Sequence, residues 1–122
     1  MTDHKLNVEE LNIYKQYMTL LYYTEMITEK YPRSEKQSLV ATIKNTTYLG
    51  MTHIIEAYKY FDKKDKLNCL NQLDMNLKML KVLIRISHKK KYINHKNYEA
   101  WSKKINNIGN MLGGWILSCL KQ

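Results

Sequence analysis

The chain has 122 residues, with twenty Lys/Arg against eleven Asp/Glu and a formal net charge of +9 at pH 7. That length holds one domain with a core of ordinary size, and we read residues 1–122 as that single domain. Four glycines and one proline leave few points where a helix could break, and no stretch alternates apolar and polar residues between turn dipeptides, so the composition predicts an all-α protein and argues against a β fold.

The start, Met1-Thr2-Asp3-His4-Lys5, is charged and has no apolar core of the signal-peptide kind behind it. The longest nearly apolar run, Met111 to Leu117, is far too short to span a bilayer. These features predict a soluble cytoplasmic protein with no membrane partner. Cys69 and Cys119 fall on or beside apolar stripes and lack a Cys-x-x-Cys arrangement, so both are expected as reduced core residues.

Four helices are predicted, over roughly residues 8–30, 34–61, 65–91 and 95–120. Asn7 with Glu10 can cap the first, whose expected inner stripe is Leu11, Tyr14, Met18, Tyr22 and Met26, and Pro32 ends it by forcing the preceding residue out of the helical region. Ser34 and Gln37 read as a capping box for the second, with Leu39, Ile43, Thr46, Gly50, Ile54, Ala57 and Phe61 at helical spacing. Several of those residues are small, which predicts close packing. Asp65 is the expected cap of the third helix, whose seam of Leu70, Leu73, Leu77, Leu80 and Ile84 runs 3-4-3-4.

Lys89-Lys90-Lys91 through about Lys96 forms the last connection. In the fourth helix Tyr98, Trp101, Ile105, Ile108, Leu112, Trp115 and Cys119 recur at three-then-four spacing. Gly113 and Gly114 sit inside that pattern next to Trp115. Each helix-interior glycine costs about 1 kcal/mol relative to alanine, so the pair predicts close approach of another helix or of a second subunit. Four long helices with short connections predict an antiparallel up-down-up-down four-helix bundle.

The charge is unevenly placed. Met1 to Tyr60 carries seven cations and seven anions, whereas Phe61 to Gln122 carries thirteen cations and four anions, so the whole excess lies in the second helical pair. Lys78, Lys81 and Arg85 each follow a seam residue by one position, which is about 100° of rotation, and Lys89, Lys90 and Lys91 extend the row. Such a row can be a solvated face whose long side chains lie over the core. With so few acidic counter-charges nearby, a surface facing a polyanion is the stronger reading, with phosphate contacts supplying affinity without reading sequence.

Ten tyrosines are predicted mainly as core or subunit packing, with base stacking conceivable for exposed ones such as Tyr92. The sequence offers no Gly-rich phosphate loop, nucleophile elbow or Glu-x-x-His pair, and His4, His53, His88 and His95 are scattered. No catalytic residue, metal site or cofactor is therefore expected.

Tyr31-Pro32-Arg33-Ser34-Glu35-Lys36, Ile54-Ile55-Glu56-Ala57, Leu80-Lys81-Val82-Leu83-Ile84-Arg85 and Ile108-Gly109-Asn110-Met111-Leu112-Gly113-Gly114-Trp115 occur in that order. Together they resemble the accessory variability determinant (Avd) proteins of diversity-generating retroelements, over about residues 8 to 118. The resemblance implies a four-helix bundle assembled as a homopentameric barrel. It also implies binding to the retroelement's reverse transcriptase and to template RNA or an RNA/DNA hybrid, in support of mutagenic cDNA synthesis. A related bundle family, encoded in intervening sequences of bacterial large-subunit ribosomal RNA genes and of structural or unknown role, shares the Pro-basic-x-Glu opening. Its second helix continues with an Asn-Ile-Ala-Glu-Gly-like segment where this chain reads Thr52-His53-Ile54-Ile55-Glu56-Ala57, so it is the alternative.

Overall fold

The computed structural model describes residues 7–121; the charged start from Met1 to Lys5, His4 included, lies outside them. Four helices, α1 (Asn12–Thr28), α2 (Leu39–Lys59), α3 (Lys63–Lys89) and α4 (His95–Leu120), account for most of the described chain, with single 3-10 turns at Val8–Glu10 and Arg33–Glu35. Among the described residues there is no strand. No helix there is long and apolar enough to cross a membrane.

The seams of α3 and α4 fall where their spacing predicts. Leu70, Leu73, Leu77, Leu80 and Ile84 are buried, and so are Trp101, Ile105, Ile108, Leu112 and Cys119. Tyr98 and Trp115 are half-buried at the margins of the same stripe. One cluster joins these residues to the inner faces of α1 and α2. Each helix packs on two others, α2 and α4 against both α1 and α3.

The first helix is rotated from its expected orientation. Its buried row is Ile13, Tyr17, Leu20, Thr24, Ile27 and Thr28, whereas Tyr22 and Met26 are exposed and Leu11, Tyr14 and Met18 are only half-buried. This helix is apolar or aromatic on more than one face, so periodicity offers two rows. The row that wins carries two threonines, whose hydroxyls donate to carbonyls one turn back, Thr24 to Leu20 O at 2.8 Å and Thr28 to Thr24 O at 2.7 Å. Their polar groups are thereby satisfied inside the helix, and burial carries no unpaired donor.

Helix starts also depart from expectation. The Asn7–Glu10 capping box forms, but it caps the 3-10 turn at Val8–Glu10, and α1 begins afresh at Asn12. No Ser34–Gln37 box forms. Pro32 opens the second 3-10 turn, Ser38 precedes α2, and the Ser38 hydroxyl donates to the Glu35 carboxylate at 2.7 Å instead of serving as a cap acceptor. Asp62, three residues before the expected Asp65, caps α3 by accepting from the Asp65 amide. α2 ends at Lys59, so Phe61 lies beyond it and is 89% exposed.

Small residues do allow close packing, at Gly50 of α2. Tyr17 crosses from α1 and its hydroxyl donates to the Thr47 carbonyl at 2.7 Å. Burial pushes the Tyr17 phenol well above its ordinary pKa. A Cβ added at Gly50 would lie 2.0 Å from the Tyr17 hydroxyl oxygen. In a tolerant helix interior, alanine would gain about 1 kcal/mol over glycine. Here Gly50→Ala is expected to lower stability by about 1 to 3 kcal/mol through overpacking. Tyr17→Phe in the same chain should recover part of that loss. Urea denaturation checks this, and a Gly50→Ala protein more stable than wild type would contradict the contact.

Candidate nucleic-acid interface

Because the α3 seam faces the core, residues one position further on emerge to one side of it. Lys78, Lys81, Arg85 and Lys89 are all exposed there, and Lys90 and Lys91 continue the row past the helix end. Their electrostatic states differ. Lys78 is held by Asp74 one turn earlier at 2.6 Å, a surface pair worth little in stability. Lys81, Arg85 and Lys89 have no carboxylate within ion-pair distance among the described residues. Lys91 adopts a left-handed backbone (φ 65°), which turns the chain out of α3 toward α4.

Lys90 belongs to a separate clamp. Its ammonium lies 3.3 Å from a Glu35 carboxylate oxygen that also accepts the Tyr92 hydroxyl at 2.7 Å, so the α3–α4 connection is tied to the segment before α2. The Ser38 and Tyr92 hydroxyls, with Lys90 beside them, hold the Glu35 carboxyl down at about 2 from an ordinary 4.5. The same bond pushes the Tyr92 phenol up. Tyr92 is therefore committed to this clamp through its hydroxyl and tilts its ring against Tyr31, which leaves it poorly suited to the stacking role conceivable from sequence.

Between α3 and α4, Lys81 and Arg85 line a groove of about 490 Å3 together with Lys103, Tyr98, Asn106 and Asn107. Glu99 is the carboxylate there, and it is paired with His95 at 3.4 Å. Tyr98 stacks on His88 with ring centroids 4.5 Å apart and planes 11° from parallel, and His95 tilts against both rings. Sequence reasoning missed Lys103 and the Tyr98–His88 pair. Lys103 lies on a different helix from the row, and its relation to Arg85 exists only once α3 and α4 are packed.

Gly113 and Gly114 are exposed, and a Cβ added at either would meet nothing among the described residues within 4 Å. Of the two explanations open at the sequence level, close approach of another helix of the same chain is not realised. Trp115 is half-buried and lines an apolar groove of about 720 Å3 with Met111, Leu11, Tyr60 and Phe61.

No group of three His, Cys, Asp or Glu side chains among the described residues is disposed to hold a metal ion. Cys69 and Cys119 are buried and unpaired, and burial followed by the Glu56 and Asp65 charges pushes the Cys69 thiol up, away from the reactive thiolate. His53 is buried, with Nδ1 3.1 Å from the Glu56 carboxylate. What the arrangement offers is a rigid helical scaffold with cations and aromatic rings fixed along one side, suited to binding a polyanion.

An all-helical four-helix bundle with this charge distribution falls within a class of small basic helical proteins. The model of the bAvd-like family matches residues 11–119, and the chain belongs to that family. No curated protein matches it.

The Glu35 clamp has a pH signature. A carboxyl lowered in the folded state adds stability that is complete above its unfolded value and is lost as pH falls through the folded one, here from about 4.5 down to about 2. Thermal midpoints measured across that window should fall less steeply for Glu35→Gln than for wild type. Equal slopes would show that the clamp does not couple to folding.

Proposed function

We propose that this chain is the non-catalytic accessory protein of a diversity-generating retroelement. In this reading the basic face of α3 engages the reverse transcriptase and its template RNA or RNA/DNA hybrid and supports mutagenic cDNA synthesis. Family membership supports the class. The observation that carries the residue-level reading is the set Lys81, Arg85 and Lys89, exposed along one face of a helix beside its buried seam, with no carboxylate paired to them among the described residues.

The bundle is proposed to run up-down-up-down. In support, Tyr17 meets Thr47 while Glu25 meets Lys44; Lys66 meets Ala57 while Asn76 meets Thr46; Lys63 meets Leu120 while His88 meets Tyr98; and Trp101 meets Thr24.

Assembly as a homopentameric barrel is proposed with it. A closed ring is built from a heterologous contact, in which one face of each subunit meets a different, complementary face of the next. Two exposed apolar surfaces support this. One is the α3 stripe Met75, Met79, Val82 and Ile86, exposed at 4-3-4 spacing on the side away from the core seam. The other surrounds Trp115, where the open surface at Gly113 and Gly114 admits a neighbour's backbone and Phe61, Leu117 and Leu120 are exposed. Exposed apolar patches of this kind mark interaction surfaces.

The test is co-purification with the retroelement's reverse transcriptase and RNA. Reversing Lys81 and Arg85 to Glu is expected to abolish retention of both while changing stability by less than about 0.5 kcal/mol per site, since neither side chain is packed. Lys15→Glu, on the exposed side of α1, serves as the control and should change little. Undiminished retention by the double reversal would leave the row as a solvated face and defeat the reading.

A further inference from the structure

We infer that the groove between α3 and α4 is a single-strand site: phosphates lie on Lys81, Arg85 and Lys103, and an unpaired base stacks on the Tyr98–His88 ring pair. This rests on the basic-face reading above and narrows it to one class of nucleic acid.

Three features point to a single strand. The cations come from two helices and face one groove, so a backbone lying in it is contacted from both walls. Amide side chains, Asn106 and Asn107, line the same groove and can both donate to and accept from base edges or phosphates. The third feature is the ring pair itself. Tyr98 lines this groove, whereas His88 lines a neighbouring one of about 590 Å3 with Lys89 and Lys91, so the two stacked rings stand between two groups of cations.

A phosphate backbone laid along both grooves would run beside those rings. At that point a single strand can lay a base against an aromatic face, while a duplex keeps its bases stacked on each other and unavailable. An acidic protein segment could use the cations but brings no base to stack, which is why polyglutamate serves as the comparison. Glu99 is a single carboxylate in a groove lined by the three cations Lys81, Arg85 and Lys103, so the lining stays net positive.

Stacking is tested with the full chain and short single-stranded RNA carrying a fluorescent purine analogue, compared at one salt concentration with an abasic strand of equal length, a duplex and a polyglutamate peptide. The site predicts quenching of the purine on binding, and affinity for the base-bearing strand about tenfold or more above that for the abasic strand. Tyr98→Leu, checked for unchanged helicity, should lose that difference and keep the salt-sensitive binding. His88→Ala, which removes the partner ring and not the core-facing one, should weaken the quench and carries the test if Tyr98→Leu is unstable. Equal binding of base-bearing and abasic strands, or polyglutamate binding as tight as RNA, would overturn the stacking site. Phosphate binding would survive the first of these results. Absence of binding by every polyanion would overturn both the site and the basic-face reading.

Discussion

The rotation of α3 about its own axis is the constraint on which the rest depends. Leu70, Leu73, Leu77, Leu80 and Ile84 are nearly inaccessible, and α3 packs on both α2 and α4. Turning it by one residue position would lift that row out of the core and push charged side chains in; full burial of each leucine or isoleucine is worth about 1.5 to 3 kcal/mol. With the seam held, the direction of every other α3 side chain follows from helix geometry. Lys81 and Arg85 must flank the seam on the α4 side, and Met75, Met79, Val82 and Ile86 must point away from it. The basic face and the exposed apolar stripe are consequences of the same hydrophobic row.

The remaining helices are set against α3 and α4 by a few buried polar contacts that only one register satisfies. The Trp101 indole N–H donates to the Thr24 hydroxyl at 3.1 Å, and that hydroxyl donates in turn to the Leu20 carbonyl. Tyr17 reaches the Thr47 carbonyl across Gly50. Buried donors left without partners are costly, so these contacts fix which residues of α1 face α2 and α4 even though α1 is apolar on more than one side. At the other end, Glu35 gathers Ser38, Tyr92 and Lys90 and keeps the α3–α4 connection against the start of α2. The grooves beside Tyr98 and His88 are thus carried on a frame anchored from both sides.

How much was legible in the sequence follows from these forces. Single apolar rows with charged flanks, as in α3 and α4, identify their own buried face, and both seams were readable. α1 was not, because two rows compete and the choice turns on threonine hydroxyls that only an interhelical partner and the helix backbone satisfy. The α2 start was misread because Ser34 and Gln37 have the spacing of a capping box, but the 3-10 turn after Pro32 uses that segment to present Glu35 to Ser38 and Tyr92. The informative glycine within the chain was Gly50, where Tyr17 arrives, and not the conspicuous pair at 113 and 114. The cation row was legible on one helix; the groove it forms with Lys103, and the Tyr98–His88 stack, depend on how two helices meet.

The central claim, that the exposed cations of α3 and its neighbour α4 hold a nucleic-acid backbone, is tested most directly by the salt dependence of affinity for a short single-stranded RNA. If about four phosphates are neutralised, the logarithm of the association constant should fall against the logarithm of salt concentration with a slope of about −3. A slope near zero would contradict the account.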